Sequence, residues 1–186
     1  MADTRRLSLK QKKSYLLKTY NISKNISYKE VVRSQTAERL GIENVPSLSQ
    51  LCIIKNLANN FFQPLRDHFK LPIKINSFFR CKELNDAIGG SKYSDHMVND
   101  DIAAIDIDDT YSQQYGVYNR HIFDHIAHNM DYYKLIYEYE DKLTSCGLQS
   151  PKWIHISYST NPVKNKQKIT LYTNGDGYKP FNLDIK

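Results

Sequence analysis

The stretch Gly89–Asp108, GGSKYSDHMVNDDIAAIDID, decides how the rest of the chain is read. Its end alternates. Ala103, Ile105 and Ile107 fall on one face of an extended segment, and Ala104, Asp106 and Asp108 on the other, because side chains change face at every residue of a strand. Branched aliphatics opposite carboxylates describe a sheet with one side covered by helices and the other side wet or functional. Just ahead of this strand, His96 sits in a polar loop. A histidine beside a strand carboxylate raises the question of a metal, which this segment alone cannot answer, since a catalytic zinc takes about three protein ligands.

Working upstream, Pro72 opens IKINSFFR, in which Ile73, Ile75 and the aromatics read as a strand ending at Arg80. KELNDAIGG follows as a short helix, with Gly89 or Gly90 available for a left-handed cap. Further back, Ser47 and Gln50 fit a capping box behind Pro46. From there Leu48, Leu51, Ile54, Leu57, Ala58, Phe61 and Leu65 recur at helical steps, which predicts a helix with one buried face, bent or restarted near Pro64.

Downstream, NRHIFDHIAHNM predicts an amphipathic helix that turns Ile122, Phe123, Ile126 and Met130 inward. YKLIYEYE, KWIHISYS and QKITLYT read as strands, and in the second of these Trp153, His155 and Ser157 share the face opposite Ile154 and Ile156. Helices first and then mainly antiparallel strands predict an α+β domain whose helices pack on one face of the sheet.

At 186 residues the chain suits one core. No apolar run approaches the roughly 18–20 residues of a spanning helix, and the start lacks the apolar core of an export signal. A protein that is cytoplasmic in the producing cell, without an export signal, is therefore expected. Cys52, Cys81 and Cys146 form no C-x-x-C pair, so neither a disulfide framework nor a cysteine zinc site is indicated. The net charge of +6 is concentrated at the start, where Arg5, Arg6, Lys10, Lys12, Lys13, Lys18 and Lys24 face only Asp3. Residues 1–28 thus read as a basic extension that attracts polyanions, and residues 29–186 as a single domain.

Three side chains have the chemistry for a metal: His96 before one strand, Asp106 on that strand and His155 on a later one. The same residues also suit a loop histidine, a solvated carboxylate and a satisfied sheet histidine, and no compact H-E-x-x-H motif decides between the readings. His121, His125 and His128 can share one face of a helix, but that face reads better as the polar side of a helix whose other side is core.

Taken together, INSFFRCKELNDAIGGSKYSDH (75–96), AAIDI (103–107) and KWIHISY (152–158) resemble the zinc D-alanyl-D-alanine carboxypeptidase family, in particular its bacteriophage-type members. The likeness extends upstream through SQTAERLGIENVPSLSQLCIIKNLANNFFQPLRDHF (34–69). It implies a hedgehog/DD-peptidase-like zinc peptidase fold, with His96, Asp106 and His155 as zinc ligands. It also implies that Arg80 grips a substrate carboxylate or carbonyl and that Ser94 hydrogen-bonds the substrate. The substrates implied are stem or cross-link peptides of bacterial peptidoglycan, cleaved by a monomeric phage lysin or virion-associated enzyme acting at the wall. The basic extension would then contact anionic wall polymers.

This chain departs from the family pattern in two places. Asp106 lies ten residues beyond His96, a longer separation than the family's, and Asn99 stands where a glycine is expected. The NDD segment reads as a loop enlargement, with Asn99 taking the left-handed turn and Asp100 and Asp101 as lesser ligand candidates. Lys152 occupies the position where several relatives carry a glutamate that acts as general base, and the resemblance implies that role for Glu138, which matches an acidic position of the phage-type members. The alternatives are a non-catalytic zinc protein that binds wall, or a nucleic-acid binder acting through the basic extension.

Overall fold

A computed structural model describes residues 20–110, 112–140, 147–181 and 183. The cations from Arg5 to Lys18, and Cys146, lie outside the described residues.

A short hairpin, β1 (Asn21–Ser23) and β2 (Ile26–Ser27), leads into α1 (Tyr28–Val32) and α2 (Gln35–Leu40). The hairpin and α1 place Ile22, Ile26, Tyr28 and Val31 in the hydrophobic core. The expected capping box then starts α3 (Leu48–Leu57): Ser47 Oγ accepts from the Gln50 amide and the Gln50 side chain accepts from the Ser47 amide. The helix does not break at Pro64. One π turn, Ala58–Phe62, carries α3 into α4 (Gln63–Phe69). The wider turn lets the Gln63 amide reach back to the Ala58 carbonyl, which relieves the register at a residue with no amide hydrogen and a bulky ring.

The sheet has six strands in the order β3-β4-β6-β5-β7-β8, comprising β3 (Ile73–Ser77), β4 (Ile102–Asp109), β5 (Lys134–Glu140), β6 (Pro151–Ser159), β7 (Ile169–Thr173) and β8 (Lys179–Pro180). Neighbours are antiparallel except β5 and β7, which run parallel. Short helices α5 (Lys82–Ala87), α6 (Ser112–Tyr115), α7 (Asn119–Asn129) and α8 (Pro162–Asn165) fill the connections. This is the α+β arrangement with a mostly antiparallel sheet that the periodicities predicted. Ala103, Ile105, Ile107, Leu135, Tyr137, Ile154 and Ile156 form the covered face, packed with Phe61, Leu65 and, from α7, Ile122, Phe123 and Ile126.

One boundary differs from expectation: β3 stops at Ser77, three residues before Arg80. Phe78 and Phe79 are both buried, and two consecutive inward side chains cannot sit on a flat alternating strand. The backbone accordingly leaves β4. The Phe79 amide donates to the Val31 carbonyl and the Arg80 amide to the His96 carbonyl. Asn44 fixes the departure, since its Nδ2 donates to the carbonyls of Val32 and Phe79 and its Oδ1 accepts from the Cys81 amide. Arg80 thus sits on a pinned loop over the uncovered face of the sheet.

Candidate metal centre

The register of the sheet builds most of the site. Asp106 of β4 and His155 of β6 are directly opposed, so both side chains rise from the same face. His155 Nδ1 lies 2.8 Å from Asp106 Oδ1. His96 arrives from a single 3₁₀ turn, Asp95–Met97, with its ring buried and Nε2 3.1 Å from that same oxygen. One ligand atom from each residue lies within 4.8 Å of the others, and no second such trio of His, Cys, Asp or Glu occurs among the described residues.

Protonation follows from what surrounds each ring. His96 Nδ1 is 2.6 Å from the Phe78 carbonyl, which can only accept, so Nδ1 carries the hydrogen and Nε2 is bare in the neutral ring. Burial holds the His96 pKa below its ordinary value, against the pull of Asp106. Burial alone would raise the Asp106 pKa, but the two imidazoles beside it, His96 and His155, outweigh burial and hold this carboxyl well below the usual range. The other oxygen, Oδ2, accepts from Arg80 Nη2 at 2.8 Å, while Arg80 Nε donates to Ser77 Oγ. A carboxylate oxygen facing the bare nitrogen of a neutral imidazole across 3.1 Å is an arrangement that a cation satisfies and an empty gap does not. The donor set of two imidazoles and one carboxylate oxygen therefore fits zinc.

The far side of His155 is also partnered. Nε2 lies 3.0 Å from Ser157 Oγ, whose hydroxyl donates to Asp95 Oδ2 at 2.6 Å, and Lys134 Nζ is 2.7 Å from that oxygen. Only Ser157, on the His155 face of β6, was visible in the sequence alternation. Asp95 and Lys134 were not.

A cleft of about 510 Å³ opens over the trio and is lined by Arg80, Ser94 and Glu138, among others. Glu138 is opposed to Trp153 on the same sheet face and is buried. Burial pushes its carboxyl above the usual range, with His155 pulling the other way. Tyr139 also lines the cleft: its φ of 53° is left-handed, and its ring sits 5.1 Å from that of Trp153. Lys152 is exposed, outside the cleft lining, with its ammonium 5.9 Å from the Tyr139 ring.

The loop before β4 corrects one expectation. Asn99 is not left-handed; Val98 and Asp100, on either side of it, are, at φ 54° and 55°. The Asn99 carbonyl accepts from the Ile102 amide, so the tight turn falls on Asp100. The lesser ligand candidates stand away from the trio. Asp100 is exposed, and Asp101 accepts from Ser159 Oγ and Lys164 Nζ, each at 2.6 Å, pinning the loop to the end of β6. The α7 histidines stay apart as well. His125 stacks on His68 at 3.7 Å, His128 Nδ1 meets the Asp124 carbonyl, and His121 Nδ1 accepts from the Tyr118 amide.

The Peptidase M15 family model matches residues 24–131. The chain belongs to this family of zinc D-Ala-D-Ala carboxypeptidase-like peptidases. No curated protein gives a match. The matched stretch holds Arg80, Ser94, His96 and Asp106 and ends before Glu138 and His155, which reach the cleft through the pairing of β5 and β6 with β4.

Proposed function

We propose that this chain is a zinc peptidase that hydrolyses D-amino-acid-containing stem or cross-link peptides of bacterial peptidoglycan, with His96, Asp106 and His155 as the metal ligands. The observation that carries this reading is the approach of His96 Nε2 and His155 Nδ1 to a single oxygen of Asp106 at the floor of a cleft that also holds Glu138. Zinc bound there supplies Lewis acidity and brings the pKa of water to about 7.

The chain's own residues supply the rest. Glu138, its carboxyl raised by burial, takes a proton from the attacking water and returns it to the departing amine. Arg80 has Nη1 left without a partner among the described residues and offers it to a substrate carboxylate or carbonyl. Ser94, on the cleft wall, hydrogen-bonds the peptide. On this reading residues 29–186 form one peptidase domain of the hedgehog/DD-peptidase type, whose core is completed by Ile22 and Ile26 of the preceding hairpin and by Tyr28. Residues 1–28 add affinity for anionic wall polymers, in a monomeric phage lysin or virion-associated enzyme acting at the wall.

The test pairs metal analysis with digestion of purified peptidoglycan and of synthetic peptides ending in D-Ala-D-Ala. Wild type should hold one zinc and release D-Ala or new amino groups, and His96→Ala, Asp106→Ala and His155→Ala should lose both properties. Stoichiometric zinc in all three variants would remove the ligand assignment. Zinc-loaded wild type that binds wall and releases nothing would make the chain a binding protein instead.

A further inference from the structure

We infer that Asp95, Ser157 and Lys134 act as positioning residues: a hydrogen-bond relay that fixes the tautomer of His155 and so presents its Nδ1 to the metal. The inference rests on the zinc reading above and concerns residues to which that reading gives no role.

Lys134 Nζ lies 2.7 Å from Asp95 Oδ2, and an ion-paired carboxylate can only accept. Ser157 Oγ is 2.6 Å from the same oxygen, so the single hydroxyl hydrogen of Ser157 goes to Asp95. What Ser157 has left is lone pairs, and His155 Nε2 stands 3.0 Å from them. The ring must therefore carry a hydrogen on Nε2, which in the neutral ring leaves Nδ1 bare toward Asp106. Each link has one possible direction: Lys134 and Ser157 both donate to Asp95, and His155 Nε2 donates to Ser157. Ser157 is fully buried, so water does not compete for its hydroxyl.

His96 reaches the same end by a shorter route, through the Phe78 carbonyl. The two rings thus expose opposite nitrogens, Nε2 of His96 and Nδ1 of His155, to one carboxylate oxygen. His155 lies mid-strand between β4 and β5, and its far nitrogen meets Ser157 Oγ where that of His96 meets a backbone carbonyl. Outer partners of this kind typically account for about 10–100-fold in metal affinity.

A purely structural role would be to tie the Asp95–Met97 turn to β6, so the test reads the ring itself. In metal-free protein, long-range ¹H–¹⁵N spectra of the imidazoles should show His155 as the Nε2–H tautomer in wild type and as a mixture in Ser157→Ala. Zinc affinity, measured by competition with a chromophoric chelator, should fall about 10–100-fold in Ser157→Ala and by about 10-fold in Asp95→Asn. Ser157→Thr keeps the hydroxyl and should restore both readouts. The relay is overturned if Ser157→Ala keeps the wild-type tautomer, or if Ser157→Ala and Asp95→Asn bind zinc as tightly as wild type. Failure of wild type to bind zinc would instead overturn the zinc reading, and the metal-free spectra would still decide the relay.

Discussion

Replacing Asp106 by asparagine keeps the shape of the side chain and removes its charge, and the consequences for the metal-free and zinc-bound proteins differ in size. Without metal, the asparagine oxygen can still accept from Arg80, and its amide can donate to one bare ring nitrogen. The loss is then that of one charge-assisted hydrogen bond, about 1.5–3 kcal/mol. With zinc the effect is larger. At free zinc 1,000-fold above its Kd, wild type gains about 4.1 kcal/mol by mass action. For a chain of this length, at roughly 2–4 °C per kcal/mol, that is a rise in Tm of about 8–16 °C. If the substitution weakens zinc by about 1,000-fold, the same zinc concentration stabilises the variant by only about 0.4 kcal/mol, or roughly 1–2 °C. Thermal unfolding followed by circular dichroism, with chelator and then with zinc, gives each protein its own reference, so the metal-free loss cancels. A variant that rises as far as wild type would refute Asp106 as a ligand.

Other outcomes follow from single contacts. Glu138→Gln should lower kcat by about 10²–10⁴-fold while zinc content is kept. Its pKa is raised in the folded state, so the cost of burying it is absent below the unfolded carboxyl pKa and grows as pH rises toward the folded one. Metal-free Glu138→Gln should therefore gain stability over wild type at neutral pH and not in acid, as urea unfolding at both pH values will read. Asn44→Ala removes three hydrogen bonds around Phe79 and Cys81 and should cost about 2–4 kcal/mol in urea unfolding. Gly90→Ala would set a Cβ 2.3 Å from Oδ1 of the buried Asn85, whose Nδ2 is held by the Ser91 carbonyl, and should cost about 1–3 kcal/mol in thermal unfolding. His125→Ala combined with His128→Ala should leave zinc stoichiometry unchanged on metal analysis.

What the sequence disclosed was what depends on local periodicity. The two-residue alternation of AAIDID and WIHIS assigned Asp106 and His155 to the uncovered face, and the capping box at Ser47 placed the start of α3. What stayed hidden depends on pairings far apart in the chain. Ser157 and Asp95 are 62 residues apart and meet only because the Asp95–Met97 turn folds over β6. Alternation would set Tyr139 beside Tyr137 on the core face, yet a left-handed backbone at that one residue accompanies a ring that lines the cleft. The parallel pairing of β5 with β7 follows from the path of the chain after β6, which leaves no trace in either strand's pattern.

The early end of β3 connects these findings. Had the strand run on to Arg80 in register with β4, the Phe78 carbonyl would have entered the ladder or turned to solvent, and His96 Nδ1 would have had no fixed acceptor. Because the backbone turns away after Ser77, four consecutive residues take separate tasks. Phe78 orients His96 through its carbonyl, and Phe79 fills the core and is tied to Val31 and Asn44. Arg80 holds Asp106 Oδ2, which leaves Oδ1 facing the two imidazoles, and its own amide is bonded to the His96 carbonyl; Cys81 closes the loop on Asn44. Arg80 therefore couples the Asp106 carboxylate to the backbone of His96. A substrate that pulled the whole guanidinium away would release Asp106 from its orientation. The geometry favours recognition through Nη1 alone, with Nη2 kept on Asp106 throughout, so the loop that looked like the end of a strand orients two of the three residues proposed as metal ligands.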